Sequence, residues 1–452
     1  MSVALAQDDE LRALAARIEA ADIAGLWIVF HDYSARACAK WIPRASIPSA
    51  LRSGGVFCRA NLNFSIDDVQ SDAPRFGADA GDFFAVPDPA TFAPVPYRPG
   101  IGRVLSWLCD ETGVLWEGCP RGRLARVLEQ LAARGLTARA AFEPEFALYR
   151  RTLDGGYAPA ETFSMYSVDR IDAAHDLLRG IETALGAQGL NVVQLGAEYG
   201  PGQLEVNLGH ELPLKAADDL LTVRETVKAL ARDAGLVASF MPKPFEHLAG
   251  SGVHVHLSLW DATGRESRSE GNGPAGLSRE LGRFMAGVLA HAPAICGVGA
   301  PTVNSYQRLL PGSWAPAHVA WGTGNRAALV RVPGSSRRRI EFRAGDHTAN
   351  PYLLLTALFA AGLDGLEREL DPGAPATGDV GHQSRDELAQ AGVQLLPRSA
   401  GEALDAIEAD EVVLSALGAV CGPELLRVKR FELARYARHV SDWERDVYLE
   451  RV

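Results

Sequence analysis

Ala249-Gly250-Ser251-Gly252-Val253-His254-Val255-His256-Leu257-Ser258-Leu259 alternates polar and apolar from Val253 onward. Side chains of an extended strand point to opposite faces with a period of two. His254, His256 and Ser258 therefore share one face, and Val253, Val255, Leu257 and Leu259 share the other and need a core. The glycines ahead of the strand permit a sharp turn and a close backbone approach to a ligand. Two histidines on one strand face are metal ligands, phosphate partners, or simply hydrogen-bonded residues of a half-buried sheet. Taken alone, this stretch favours the last reading.

The pattern recurs, which shifts the balance. Glu143 and Glu145 are two apart in an apolar run from Ala140 to Tyr149, so they share a face. Glu198 and Glu205 flank the turn-rich connector Tyr199-Gly200-Pro201-Gly202-Gln203-Leu204. Arg339, Glu341 and Arg343 alternate with Ile340 and Phe342. Carboxylates are seldom buried without a partner. These glutamates, converging with a histidine among them, repel one another unless cations sit between them. The segments imply two or more divalent metals in a sheet-lined cavity ringed by arginines.

Composition narrows the classes. A chain of 452 residues buries a large core and implies more than one domain. A net charge of -11 argues against nucleic acid or an acidic membrane as partner. Six scattered cysteines without a CxxC pair fit reduced thiols in a cytoplasmic setting. Met1 to Arg12 is polar and acidic, unlike a secretory signal. The longest apolar run, Tyr352 to Leu363, falls short of the roughly 20 residues that span a bilayer and reads as a buried helix. Asn350 caps it and Pro351 suits its first position.

Residues 1–104 read as a small α+β domain, opened by the amphipathic helix Asp8 to Ala21 and a strand from Gly25 to Phe30. A strand from Val104 to Glu111 is expected to begin the larger domain, residues 105–452. There, helices Arg121–Arg134, Asp172–Gln188, Lys215–Ala234 and Leu277–His291 alternate with the charged strands, and Glu402 to Leu449 is helical. The expected class is α+β with a mostly antiparallel sheet.

Carboxylates with one or two imidazoles suit Mg²⁺ or Mn²⁺ rather than zinc or iron–sulfur. Divalent ions beside Arg308, Arg326, Arg331, Arg338, Arg339 and Arg343 describe a polyphosphate site, with a solvated basic patch as the simpler alternative. The chain contains no Gly-Lys pair and hence no Walker loop. ATP would bind through metals and arginines.

Several ordered segments together resemble the glutamine synthetase family, type I. They are Phe142-Glu143-Pro144-Glu145-Phe146; Glu198 with Gly202-Gln203-Leu204-Glu205; Gly250 to His256; Pro301-Thr302-Val303-Asn304-Ser305-Tyr306; Asn325-Arg326; and Arg339-Ile340-Glu341-Phe342-Arg343 with Asn350-Pro351-Tyr352. The resemblance implies an N-terminal β-grasp domain, a catalytic domain with a curved antiparallel sheet, and a double-ring homo-oligomer, a dodecamer, with active sites at subunit interfaces. It implies that Glu145, Glu198 and Glu205 hold one metal, and that Glu143, His254 and Glu341 hold a second beside the nucleotide. His256, Arg331 and Arg339 fall to the nucleotide, Arg308, Arg343 and Gly250 to glutamate, and Arg326 and Glu341 to catalysis. The implied reaction has two steps: ATP phosphorylates the γ-carboxylate of glutamate, and an amine attacks the acyl phosphate.

The departures bear on the amine. Ammonia-using members carry a glutamate in a proline-glycine-aromatic-glutamate run; here Pro311-Gly312-Ser313-Trp314 sets Trp314 in its place. They also carry Phe-Asp-Gly-Ser in the N-terminal domain, where this chain has Phe57-Cys58-Arg59-Ala60. A small cation in a desolvated pocket needs carboxylates, whereas an indole offers an apolar wall or a cation–π face. An organic amine (a polyamine, ethanolamine, or a small alkyl or aryl amine) is therefore the expected nucleophile, with ammonia as the alternative. A non-catalytic structural or regulatory relative and a guanidino phosphotransferase are the competing classes. Ala249 stands where many relatives have Asn, which leaves the acid substrate open. The acidic residues Asp67, Asp68 and Asp72 offer a polyamine a landing site or are merely solvated.

Overall fold

The computed structural model describes residues 7–334 and 337–452. Helix Asp8–Ala20 forms as the periodicity requires, with Leu14 and Ile18 buried and a capping box between Gln7 and Glu10. It lies beside a sheet of strands β1 (Gly25–His31), β2 (Ala37–Pro43), β3 (Gly55–Cys58), β4 (Asp82–Pro87), β5 (Ala93–Pro94) and β6 (Ile101–Cys109). The order is β2-β1-β6-β4-β3, with β5 on β6. The central pair β1/β6 is parallel and the other pairs are antiparallel. The strand expected to open the larger domain is thus the middle of the N-terminal sheet. The boundary at 104/105 falls inside β6, whose nine residues are all buried. A strand buried on both faces carries no alternation to show which sheet it joins.

The second sheet holds β7 (Leu136–Arg151), β8 (Tyr157–Pro159), β9 (Val192–Ala197), β10 (Gln203–Leu208), β11 (Val237–Ser239), β12 (Val253–Asp261), β13 (Trp321–Thr323), β14 (Val330–Val332) and β15 (Ile340–Phe342). Its order is β13-β14-β15-β12-β7-β10-β9, with β8 and β11 also on β7. Among the described residues β13/β14 is its one parallel pair. The expected α+β class with curved sheets is what the chain adopts.

The apolar face of β12 meets a core in which Leu26, Val104, Phe142, Val255 and Leu353 belong to one cluster, so both sheets share it. Helix Pro351–Glu367 runs through that cluster, with Asn350 accepting from the Tyr352 and Leu353 amides. Helix Arg279–Ala290 crosses it tightly: a methyl group on Gly287 would sit 2.0 Å from the Ala361 carbonyl oxygen. The expected helix Leu277–His291 forms as Arg279–Ala290, and the stretch expected to end it is instead a second helix, Ala292–Gly299, bent from the first by 75°. No single helix among the described residues is long and apolar enough to cross a membrane.

The N-terminal sheet is fastened to helix Cys421–Ala437. The buried Lys429 Nζ donates to Ser34 Oγ at 2.8 Å and to Glu432 Oε2 at 3.0 Å. Asp67 accepts both Nη groups of Arg435 at 2.8 Å, and Arg36 pairs with Asp68. The acidic loop is therefore engaged within the chain at Asp67 and Asp68.

Candidate active site

Four adjacent strands build the site. Register sets His254 of β12 opposite Glu143 of β7, Glu205 of β10 opposite Glu145 of β7, and His256 of β12 opposite Glu341 of β15. Paired residues share a sheet face, and so do residues two apart. All six side chains consequently project from one face. Donor atoms of Glu143, Glu205 and His254 lie within 4.8 Å of one another, as do those of Glu143, His256 and Glu341. His254 Nδ1 is 3.6 Å from both Glu143 and Glu341, and its Nε2 is 4.0 Å from Glu145.

The grouping differs in detail from the one the resemblance implies. Glu143 is common to both clusters, and His256, expected at the nucleotide, has its Nε2 2.9 Å from Glu143 Oε1. Arg339 Nε donates to His256 Nδ1 at 3.0 Å. Glu198 is not on a strand: β9 ends at Ala197, and Glu198 begins the connector to β10. Its Oε2 accepts from the Tyr166 hydroxyl at 3.1 Å.

The arginines separate into buried and exposed groups. Arg331 Nη1 donates to Glu341 Oε2 at 2.7 Å, and Arg343 Nη1 donates to Glu341 Oε1. Arg343 Nε also donates to the Arg326 carbonyl at 3.0 Å, which ties it to the segment after β13. Arg308 is buried, with its guanidinium against the Gly345 and Arg343 carbonyls at 3.2 Å. A Cβ at Gly252 would fall 2.2 Å from Arg308 Nη2, and one at Gly250 would fall 2.6 Å from the Pro242 carbonyl. These two glycines are needed for close approach. A solvated basic patch does not describe Arg308, Arg331 or Arg343. Arg326 itself is exposed.

Trp314 is 74% exposed and has a left-handed backbone, with φ of 63°. Ser313 Oγ donates to the Arg308 carbonyl at 2.9 Å, so the Trp314 loop hangs directly from the Arg308 turn. Gly312 faces His382, whose Nδ1 is 2.9 Å from Asp379.

The electrostatics follow from crowding. Burial, then the charges of Glu143, Glu145 and Glu198, push the Glu205 carboxyl up to about 8. Burial and the Glu145 charge raise Glu198 as well. Burial works in the same direction on Glu143 and Glu341, but His254 and His256 hold Glu143 well below the usual range, and His254 and Arg343 hold Glu341 at about 2. Two ionised carboxylates about 5 Å apart repel by roughly 3 kcal/mol at an effective dielectric near 20. Hard oxygen donors, imidazole nitrogens and this concentration of negative charge fit divalent cations. The buried His256 Nε2, 2.9 Å from Glu143 Oε1, belongs to the same donor set.

A match to the glutamine synthetase catalytic domain spans residues 117–448. The chain belongs to the glutamine synthetase family. A glutamate–methylamine ligase of Methyloversatilis universalis is 39% identical over 384 residues, covering 82% of this chain and 85% of that protein. A glutamine synthetase of Halobacterium salinarum is 35% identical over 451 residues, covering 98% of this chain and 97% of that protein. A solved structure described as a GmaS/ADP complex superposes with a TM-score of 0.87 at 33% identity, covering 96% of this chain and 99% of that one. Members of the family use ATP and a divalent metal, and this chain is an ATP-dependent carbon–nitrogen ligase of that class.

Two features of the site escaped sequence reasoning. His210, two residues past β10, stacks edge-on against His256 with ring centroids 6.2 Å apart. The loop that follows β8 brings the Tyr166 hydroxyl to Glu198, and no periodicity marks it.

Proposed function

We propose that the enzyme joins the γ-carboxylate of glutamate to a small organic amine at the expense of ATP. The observation that carries this reading is Trp314 at the position where ammonia-using members hold a glutamate, with Cys58 in place of the N-terminal aspartate. The similarity to a glutamate–methylamine ligase over 82% of the chain supports the same substrate class.

In this reading Glu143, Glu145, Glu198, Glu205, His254 and Glu341 hold two or more Mg²⁺ or Mn²⁺ ions. When bound, these ions neutralise charge on the ATP phosphates and on the transferred phosphoryl group. His256, Arg331 and Arg339 orient the nucleotide, and Arg326, exposed in the segment after β13, steadies the phosphoryl group in flight. Arg308 and Arg343 present a fixed cationic wall to the glutamate carboxylates, and Gly250 lines that end. Trp314 offers an apolar face to the alkyl part of the amine, which attacks the activated carbonyl in its neutral form. All six cysteines are free, which supports a cytoplasmic setting. A homo-oligomer with sites at subunit interfaces, a dodecamer, belongs to the same proposal.

Phosphate release with glutamate, ATP and Mg²⁺ over a panel of methylamine, ethylamine, ethanolamine, putrescine and ammonia tests the reading. An alkylamine is expected to give the highest kcat/KM, with the γ-glutamyl amide identified by mass. Ammonia outperforming every organic amine would return the enzyme to glutamine production. Chelation of the metal is expected to abolish phosphate release with every amine.

A further inference from the structure

Glu143, Glu145, Glu205 and Glu341 are placed by strands, but Glu198 stands on a connector. Its side chain therefore needs another means of orientation. Tyr166 provides a hydroxyl donor to Glu198 Oε2 at 3.1 Å. Tyr166 is also held in left-handed backbone, with φ of 54°. A bulky residue keeps that conformation only where its surroundings over-determine it, and such residues gather at functional sites.

The loop that carries Tyr166 is braced against the Glu198 connector. Arg170 is only 1% exposed. Its Nη2 donates to the Phe163 carbonyl, at the front of the loop. Its Nη1 donates to the carbonyls of Glu198 and, at 2.8 Å, Gly200. Its Nε lies 2.8 Å from Glu161 Oε1. Glu161 in turn accepts from the amides of Phe163, at 2.6 Å, and Gly202. Gly202 has φ of 67°, and a Cβ there would lie 2.5 Å from the Leu148 carbonyl. One buried ion pair thus buckles residues 161–167 to both ends of the connector, and the connector presses against β7.

We propose that Tyr166 is a positioning residue that sets the rotamer of Glu198, with the Arg170–Glu161 pair as the brace that holds it in place. The hydroxyl occupies one carboxylate oxygen and leaves the other to serve a divalent cation. Partners behind a metal ligand orient it and raise affinity in this manner. The proposal rests on Glu198 acting as a metal ligand in the active site described above.

The test uses the full-length enzyme and Tyr166→Phe, which keeps the ring and removes the donor. Mn²⁺ binding is followed by calorimetry and by electron paramagnetic resonance without ATP or amine. One class of sites is expected to weaken by about tenfold. The metal concentration for half-maximal turnover is expected to rise in step, the KM for ATP to stay unchanged, and saturating metal to restore kcat. Glu161→Gln, which loosens the brace and leaves Tyr166 intact, is expected to shift the same sites less. Wild-type Mn²⁺ affinity in Tyr166→Phe, with an unchanged melting temperature, overturns the proposal. So does equal weakening of every Mn²⁺ site. A wild-type preference for ammonia would overturn the amine reading and leave this binding result untouched.

Discussion

Glu205 shows what one side chain can report. Its carboxyl is raised to about 8, first by burial and then by three neighbouring carboxylates. A carboxyl raised in the folded state gives its full stability below its unfolded value, and that stability is lost as pH rises through about 8. Glu205→Gln removes this loss. The metal-free variant is expected to melt higher than the metal-free wild type at pH 8–9, yet to bind Mn²⁺ at least about tenfold more weakly and turn over more slowly. Melting temperatures taken with and without metal check both signs. At this scale the sequence was partly legible. Strand alternation placed Glu143, Glu145, His254, His256 and Glu341 on common faces. It did not place Arg343 and Arg331 on the two oxygens of Glu341, because side-chain rotamers answer to neighbours the sequence does not name.

At the scale of elements, the bend after Ala290 is held by His291. Its Nδ1 is 2.7 Å from Asp410, ahead of helix Glu411–Leu417, and its Nε2 is 3.0 Å from Asp364 of helix Pro351–Glu367. Arg368 also pairs with Asp364 at 3.0 Å. Hydrogen bonding to Asp410, against the opposing effect of burial and with Asp364 adding to it, raises the His291 pKa. A raised imidazole contributes fully below its unfolded value, near 6.5, and the contribution is lost as pH rises through the higher folded value. Wild type is expected to lose stability over that interval, whereas His291→Gln starts about 1–2 kcal/mol lower and stays flatter. Denaturant melts at pH 6 and pH 9 decide it. Helix existence was legible from apolar spacing, but this bend and the sheet membership of β6 were not. Both depend on what packs against the element, and a fully buried segment carries no local pattern to announce it.

At the scale of the whole molecule, the N-terminal sheet and the last long helix meet through Lys429, 395 residues after its partner Ser34. Lys429 is 2% exposed, so its truncation leaves buried polar groups unpaired. Lys429→Ala is expected to cost about 2–4 kcal/mol, read as a drop in the urea midpoint. Asp67→Asn, at the more exposed pair with Arg435, is expected to cost less than about 1 kcal/mol. The same contacts pair Asp67 with Arg435 and Asp68 with Arg36, so neither carboxylate is merely solvated.

The amino-acid sequence determined the chemistry available to this protein. Acids, imidazoles and arginines alternate with apolar residues, because strand period and residue type are local properties. Only the tertiary structure decided which carboxylates stand within 4.8 Å of one another, that His256 joins Glu143, and that the Tyr166 hydroxyl donates to Glu198. Those pairings depend on strand register and on loops closed by contacts far apart in the chain, and a one-dimensional pattern holds no distances between such segments.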